Sequence, residues 1–149
     1  MQTEKLLKLL KENKVKFVII GATAFPVHGY SRATLDIDIF IQPEKANALR
    51  TWKALKEFGY HVTDVTIDDL LTKKVLIRQY LIETDIHSAV KGITFEKVWK
   101  NKVKARFGKT FAWFASLDDL ITMKKAASRT KDVQDLKYLR RLKNRAKKR

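Results

Sequence analysis

ATLDIDIFI, residues 33–41, alternates strictly between aliphatic and other side chains, the period of a β-strand. That period puts Asp36, Asp38 and Phe40 on one face and Leu35, Ile37, Ile39 and Ile41 on the other. Aspartate is depleted in strands because its side chain prefers turns and local backbone bonds. Two carboxylates two residues apart on one face also repel each other unless a cation lies between them. Magnesium suits such a pair, being a hard ion bound by one or two carboxylates together with substrate phosphates. The competing reading is an amphipathic strand whose polar face meets water, in which case the spacing carries no chemistry.

A second stretch bears on that choice. In LIETDIHS, residues 81–88, strand periodicity places Leu81, Glu83, Asp85 and His87 on one face. Asp85 is the third carboxylate expected to join Asp36 and Asp38 across a sheet, and Glu83 is its competitor, or else the partner of a lysine. Three carboxylates on neighbouring strands could hold two metal ions roughly 3.5–4 Å apart, the arrangement suited to in-line displacement at phosphorus. Upstream, VIIGATA ends a strand at Gly21, and small residues there let backbone N–H groups approach a phosphate at a helix start. A lone glycine after a strand is otherwise only a turn.

The remaining chain supplies the frame. Leu6, Leu7, Leu9 and Leu10 among charges predict an amphipathic helix over 3–13, and VKFVII (15–20) predicts a buried strand. Residues 22–29 read as a short helix. Pro43 is expected to open a helix that runs through Phe58 and is closed by Gly59. Thr66, with Asp68 and Asp69 following, predicts a capped helical turn over 67–71. Residues 75–90 read as two short strands or one bent ribbon, 93–100 as a short helix and KTFAWFA (109–115) as a strand. Ser116 caps a helix through Ala127, and a last helix starts near Thr130. The fold class is therefore mixed α/β (α+β), one small mixed sheet flanked by helices, in a single domain spanning 1–149 with a basic C-terminal helix or tail from about residue 130.

Composition narrows the function classes. Lys and Arg number 32 against 16 Asp and Glu, a net charge of +16. Such a surface attracts polyanions, nucleic acid above all, unless it only mirrors a lysine-rich proteome. Residues 129–149 hold ten basic and two acidic side chains. There is no cysteine, which excludes disulfides and thiolate zinc sites. No apolar run is long enough to cross a bilayer, and the charged N-terminus is unlike a signal peptide, so a cytoplasmic protein is expected. His28 and His87 have no second histidine at metal spacing and read as packing or hydrogen-bonding residues. Phe111, Trp113 and Phe114 on a strand, with Trp52 and Trp99 on helices, read first as core and only second as base-stacking groups.

Taken together, Gly21-Ala22, then Arg32, Thr34 and Asp36-Ile37-Asp38, resemble the signature of the polymerase-β-like nucleotidyltransferase superfamily. GATAFPVHGYSRATLDIDIFI is similar to its small AbiEii-type, minimal-nucleotidyltransferase branch, which is associated with toxin–antitoxin systems. SLDDLITMKKAASRTKDVQDLKYL (116–139) is similar to the helical segment that closes that branch's domain. The resemblance implies the nucleotidyltransferase fold, with Asp36, Asp38 and Asp85 as catalytic metal ligands. It implies two Mg2+ ions, with Mn2+ as a substitute, and a role for the third carboxylate in activating the attacking hydroxyl. Gly21 and Ala22 would contact the triphosphate. Ala22 departs from the usual glycine or serine, leaving Thr23 as the nearby hydroxyl. Arg32, Lys124, Lys125 and Arg129 are phosphate-contact candidates, although Arg129 with Asp132 and Asp135 also reads as a helix-linking ion network.

The implied activity is transfer of a nucleoside monophosphate from an NTP to a hydroxyl acceptor, with RNA such as tRNA favoured by the charge. Two other readings stand beside it. One is a toxin–antitoxin component with a partner protein, or an RNA-binding module, with weak or lost catalysis. The other is a small-molecule (antibiotic) nucleotidyltransferase, which a strongly cationic surface disfavours for cationic substrates.

Overall fold

The computed structural model describes residues 2–31, 34, 36–79 and 82–147. Within these residues six strands form one sheet: β1 (Phe17–Ile20), β2 (Asp36–Ile41), β3 (Val75–Ile77), β4 (Glu83–His87), β5 (Val103–Phe107) and β6 (Thr110–Phe114). Their spatial order is β3-β4-β2-β1-β6-β5. β2 runs parallel to β4, and β1 parallel to β6; the other three pairings are antiparallel. Among the described residues six α-helices complete the frame: α1 (Gln2–Glu12), α2 (Lys45–Phe58), α3 (Ile67–Thr72), α4 (Phe95–Asn101), α5 (Leu117–Ala127) and α6 (Val133–Lys147). A 3-10 segment, Gly21–His28, follows β1 directly, and a short one, Thr130–Asp132, links α5 to α6.

Register partners project to the same side of a sheet, and neighbours along a strand to opposite sides. One face of the sheet therefore carries Phe17, Ile19, Ile37, Ile39, Ile41, Thr84, Ile86, Ala112 and Phe114, all buried. The other face carries Asp36, Asp38, Glu83, Asp85 and His87 at one side of the sheet. At its far side lie Lys104, Arg106, Phe111 and Trp113. Its middle, Val18, Ile20 and Phe40, is sealed, with Phe95 of α4 meeting Phe40 edge-on at 5.3 Å between ring centroids, and Asp85 beside it is buried too. The sheet thus has a fully packed side and a half-open side, and the half-open side holds the acidic side chains.

Local signals account for the helices. α1 buries Leu6, Leu7 and Leu10, the stripe its sequence spacing predicts. α2 begins at Lys45 with Glu44 as its N-cap, so Pro43 precedes the helix and does not open it. Buried Asn47 of α2 accepts from the Lys16 amide (2.7 Å) and donates to the carbonyls of Lys16 and Gln42 (each 3.0 Å), tying α2 to the ends of β1 and β2. Thr66 and Asp69 form a reciprocal capping box on α3, and Ser116 accepts from the Asp119 amide on α5.

Two further expectations need correction. Residues 103–107, to which the sequence pattern assigned no element, form the edge strand β5. Phe111, read as core, is 44% exposed, because β6 is covered on one face only. No helix among the described residues is long and apolar enough to cross a membrane.

Candidate active site

β2 and β4 lie side by side and parallel, with Asp36 paired to Glu83, Asp38 to Asp85 and Phe40 to His87. The alternation that sends Ile37, Ile39 and Ile86 into the core sends all the acidic side chains to the half-open face. Asp36, Asp38 and Asp85 each offer a carboxylate oxygen within 4.8 Å of the others. Glu83 shares the face, but its carboxylate turns to Arg78 Nε at 3.5 Å.

Three converging carboxylates need compensation. Asp85 is 3% exposed and accepts from Arg78 Nη1 at 2.6 Å, with Lys74 Nζ 4.0 Å from its second oxygen. The Asp85 bond raises the guanidinium pKa of Arg78 further above its ordinary value. Asp38 accepts from His87 Nε2 at 2.8 Å, and Asp36 from the Thr34 hydroxyl at 2.7 Å. Each carboxylate thus has its own hydrogen-bond donor, and all three line one cleft. A hard, all-oxygen donor set of this kind could hold a metal ion.

Gly21 packs against this cluster. Its φ is +70°, and a Cβ there would stand 2.6 Å from Asp38 Oδ2. Glycine is therefore required both by the backbone and by the carboxylate. The 3-10 segment that starts at Gly21 has Ile20 at its N-cap and no side-chain cap. Among the described residues no side chain accepts from its first amide groups, the condition an incoming phosphate needs. Ala22 is buried beside them. The Thr23 hydroxyl donates to the Asp36 carbonyl at 3.3 Å, so it braces β2 against the turn.

These groups line a cleft of about 620 Å3 whose opposite wall comes from α5 and the start of α6. Lys74, Arg78, Lys91, Lys124, Arg129 and Lys131 give that cleft a cationic lining. Lys124 sits on its wall with Nζ 2.9 Å from Asp132 and 3.3 Å from Asp135. Arg129 Nε donates to Asp132 at 2.7 Å. Burial pushes the Asp132 carboxyl up, but the bonds from Arg129 and Lys124 outweigh it and hold its pKa below the ordinary value. The helix-linking network foreseen for Arg129, Asp132 and Asp135 is therefore formed, with Lys124 at its centre. Lys125 points away from this cleft and lines a separate surface with Arg140 and Lys143. Arg32 lies outside the described residues.

Sequence reasoning passed over Arg78 and Lys74. The available signal was a lone arginine inside the apolar run VLIRQY, next to the strand that carries Asp85. His28, read as a hydrogen-bonding residue, donates from Nε2 to the Ala115 carbonyl at 2.8 Å, and His87 bonds Asp38 as described.

The profile of a family described as "Nucleotidyltransferase of unknown function (DUF6036)" matches residues 1–143. No curated protein matches the chain.

Proposed function

The chain belongs to that nucleotidyltransferase family, and on this premise we propose that its Asp36–Asp38–Asp85 cluster directs transfer of a nucleoside monophosphate from an NTP to a hydroxyl of an RNA acceptor such as tRNA. The observation that carries this reading is the convergence of three carboxylate oxygens within 4.8 Å beside the uncapped start of the 3-10 segment. A divalent cation held by those carboxylates would supply Lewis-acid stabilisation of charge on the phosphates.

The chain's own groups do the rest. The amides at Gly21 and Ala22 bind phosphate oxygens, and Gly21 keeps the Asp38 carboxylate close to them. Lys74, Lys91 and Lys131 draw the triphosphate into the cleft. The acceptor hydroxyl oxygen attacks the α-phosphorus, forming a new P–O bond as the bond to the β-phosphate oxygen breaks and pyrophosphate leaves. Asp85 takes the hydroxyl proton on the oxygen not bonded to Arg78. Arg78 fixes that carboxylate's orientation.

The AbiEii-type assignment rests on the sequence resemblance at Gly21-Ala22 and Asp36-Ile37-Asp38. The RNA acceptor is supported by the +16 charge. A second reading, an RNA-binding or toxin–antitoxin interaction module with weak catalysis, is favoured by one observation: Arg78 already pairs with Asp85, the most buried carboxylate of the three. Incubation with labelled NTPs, Mg2+ and total RNA separates the two. Wild type is expected to label RNA and Asp36→Ala/Asp38→Ala to lose labelling. Persistence in the double variant would refute the site, and no labelling with any acceptor would favour the interaction module.

A further inference from the structure

On the half-open face, the carboxylates are not the only built feature. Lys104 pairs with Trp113 and Arg106 with Phe111 across β5 and β6, which places all four on the face that bears Asp38. Trp99 of α4 stands against Trp113 with ring centroids 6.4 Å apart. Lys102 Nζ lies 4.0 Å from the Trp99 ring centre and 4.8 Å from that of Trp113. Lys16 approaches Trp99 at 5.1 Å, and Lys104 and Arg106 each approach Phe111 at 5.3 Å. Three aromatic rings, none of them buried, are thus interleaved with four cations.

The local sequence carries charge of one sign, and the one carboxylate that reaches its turn among the described residues is that of Glu4, beside Gly108. Residues 97–117 contain six basic side chains and no acidic one. The rings also connect to the active site. Phe40, two residues along β2 from Asp38, meets Phe95; Phe95 stacks on Trp99 at 5.9 Å; Trp99 meets Trp113. β6 lies two strand spacings from β2, about 10 Å.

We propose that the Trp99–Trp113–Phe111 face of the β5–β6 ribbon binds single-stranded polynucleotide and, in the reaction proposed above, holds the unpaired end of the acceptor strand. Aromatic faces stack bases without regard to sequence, and flexible lysine stems place ammonium groups on the flanking phosphates. Acidic proteins would meet the same cations, but they carry no run of planar bases to stack on half-buried indole rings and an exposed phenyl ring. The first half of the proposal stands on the patch alone; the second half rests on the nucleotidyl-transfer reading.

Binding is read without NTP or metal, so it is independent of catalysis. The probes are short fluorescent single-stranded RNA, poly(A) and poly(U) in turn, and a duplex RNA of matching length. Phe111→Ala and Trp113→Ala are compared with Trp113→Phe, which keeps a ring, each variant first confirmed as folded by circular dichroism. The single strands are expected to bind, and each alanine variant to weaken binding by about tenfold. Trp113→Phe is expected to stay close to wild type, and the duplex to bind more weakly than the single strands. In a Trp52→Phe background, whose remaining tryptophans are Trp99 and Trp113, bound RNA should quench fluorescence. Wild-type affinity in both alanine variants, equal binding of duplex and single strand, or no binding of single strands would each overturn the proposal. Loss of transfer in Asp36→Ala/Asp38→Ala with RNA binding intact would leave it standing.

Discussion

Asp38 and Asp85 are register partners on adjacent parallel strands, and each is held by a different donor: His87 for Asp38, Arg78 for Asp85. The pairing brings two like charges to one level of the sheet, so the Arg78 guanidinium compensates part of the charge that a divalent ion would also compensate. Arg78→Gln is expected to tighten Mn2+ binding several-fold in the nucleotide-free protein, read by titration with electron paramagnetic resonance. Weaker binding in the variant would instead mean that the orientation Arg78 gives Asp85 outweighs the charge it compensates.

Gly21 carries two constraints at once. Gly21→Ala forces a side chain into a left-handed backbone at a cost of about 1–2 kcal/mol. It also drives a methyl group to 2.6 Å from Asp38 Oδ2, so the carboxylate must move. A lowered thermal midpoint is expected together with weakened Mn2+ binding. A stability loss with unchanged metal affinity would dissociate the glycine from the site.

Lys124 is nearly buried between Asp132 and Asp135, each 3% exposed. Lys124→Met leaves two carboxylates in a low-dielectric pocket with Arg129 as the remaining cation on Asp132. Removing one partner from such a cluster is expected to cost about 3–5 kcal/mol, measured by chemical denaturation. A small stability change with a large loss of NTP affinity would instead mark Lys124 as a phosphate contact.

Asp132 also sets an acid limit. Its folded-state pKa lies below its unfolded value, near 3.8. Its contribution to stability is therefore complete above the unfolded pKa and is lost as pH falls through the folded one. Unfolding free energy is expected to drop below about pH 4, with a shallower drop in Asp132→Asn. Parallel acid profiles for the two proteins would remove Asp132 from the account.

The sequence made β2 legible because two aspartates break an otherwise aliphatic alternation, and the same rule put Asp85 on the matching face of β4. β1, the capped α3 and α5, and the turn at Gly21 announced themselves through β-branched residues, Thr66, Ser116 and glycine. β5 did not, since Lys104 and Arg106 on an edge strand look like loop composition, and charges on edges are how sheets avoid pairing further. Arg78 and the exposure of Phe111 were hidden for a tertiary reason. Which residues a cation meets, and whether a strand is covered on one face or two, depend on strand order, and no local pattern encodes the sequence β3-β4-β2-β1-β6-β5.

The most direct test of the central claim follows the two ends of the nucleotide separately. The protein, Mg2+ and RNA are incubated with NTP labelled at the α- or the γ-phosphate, and RNA label and released phosphates are measured together. The account predicts α-label in RNA with one pyrophosphate released per transfer, and no RNA label from the γ-position. Transfer of the γ-label, or release of orthophosphate in its place, would contradict it.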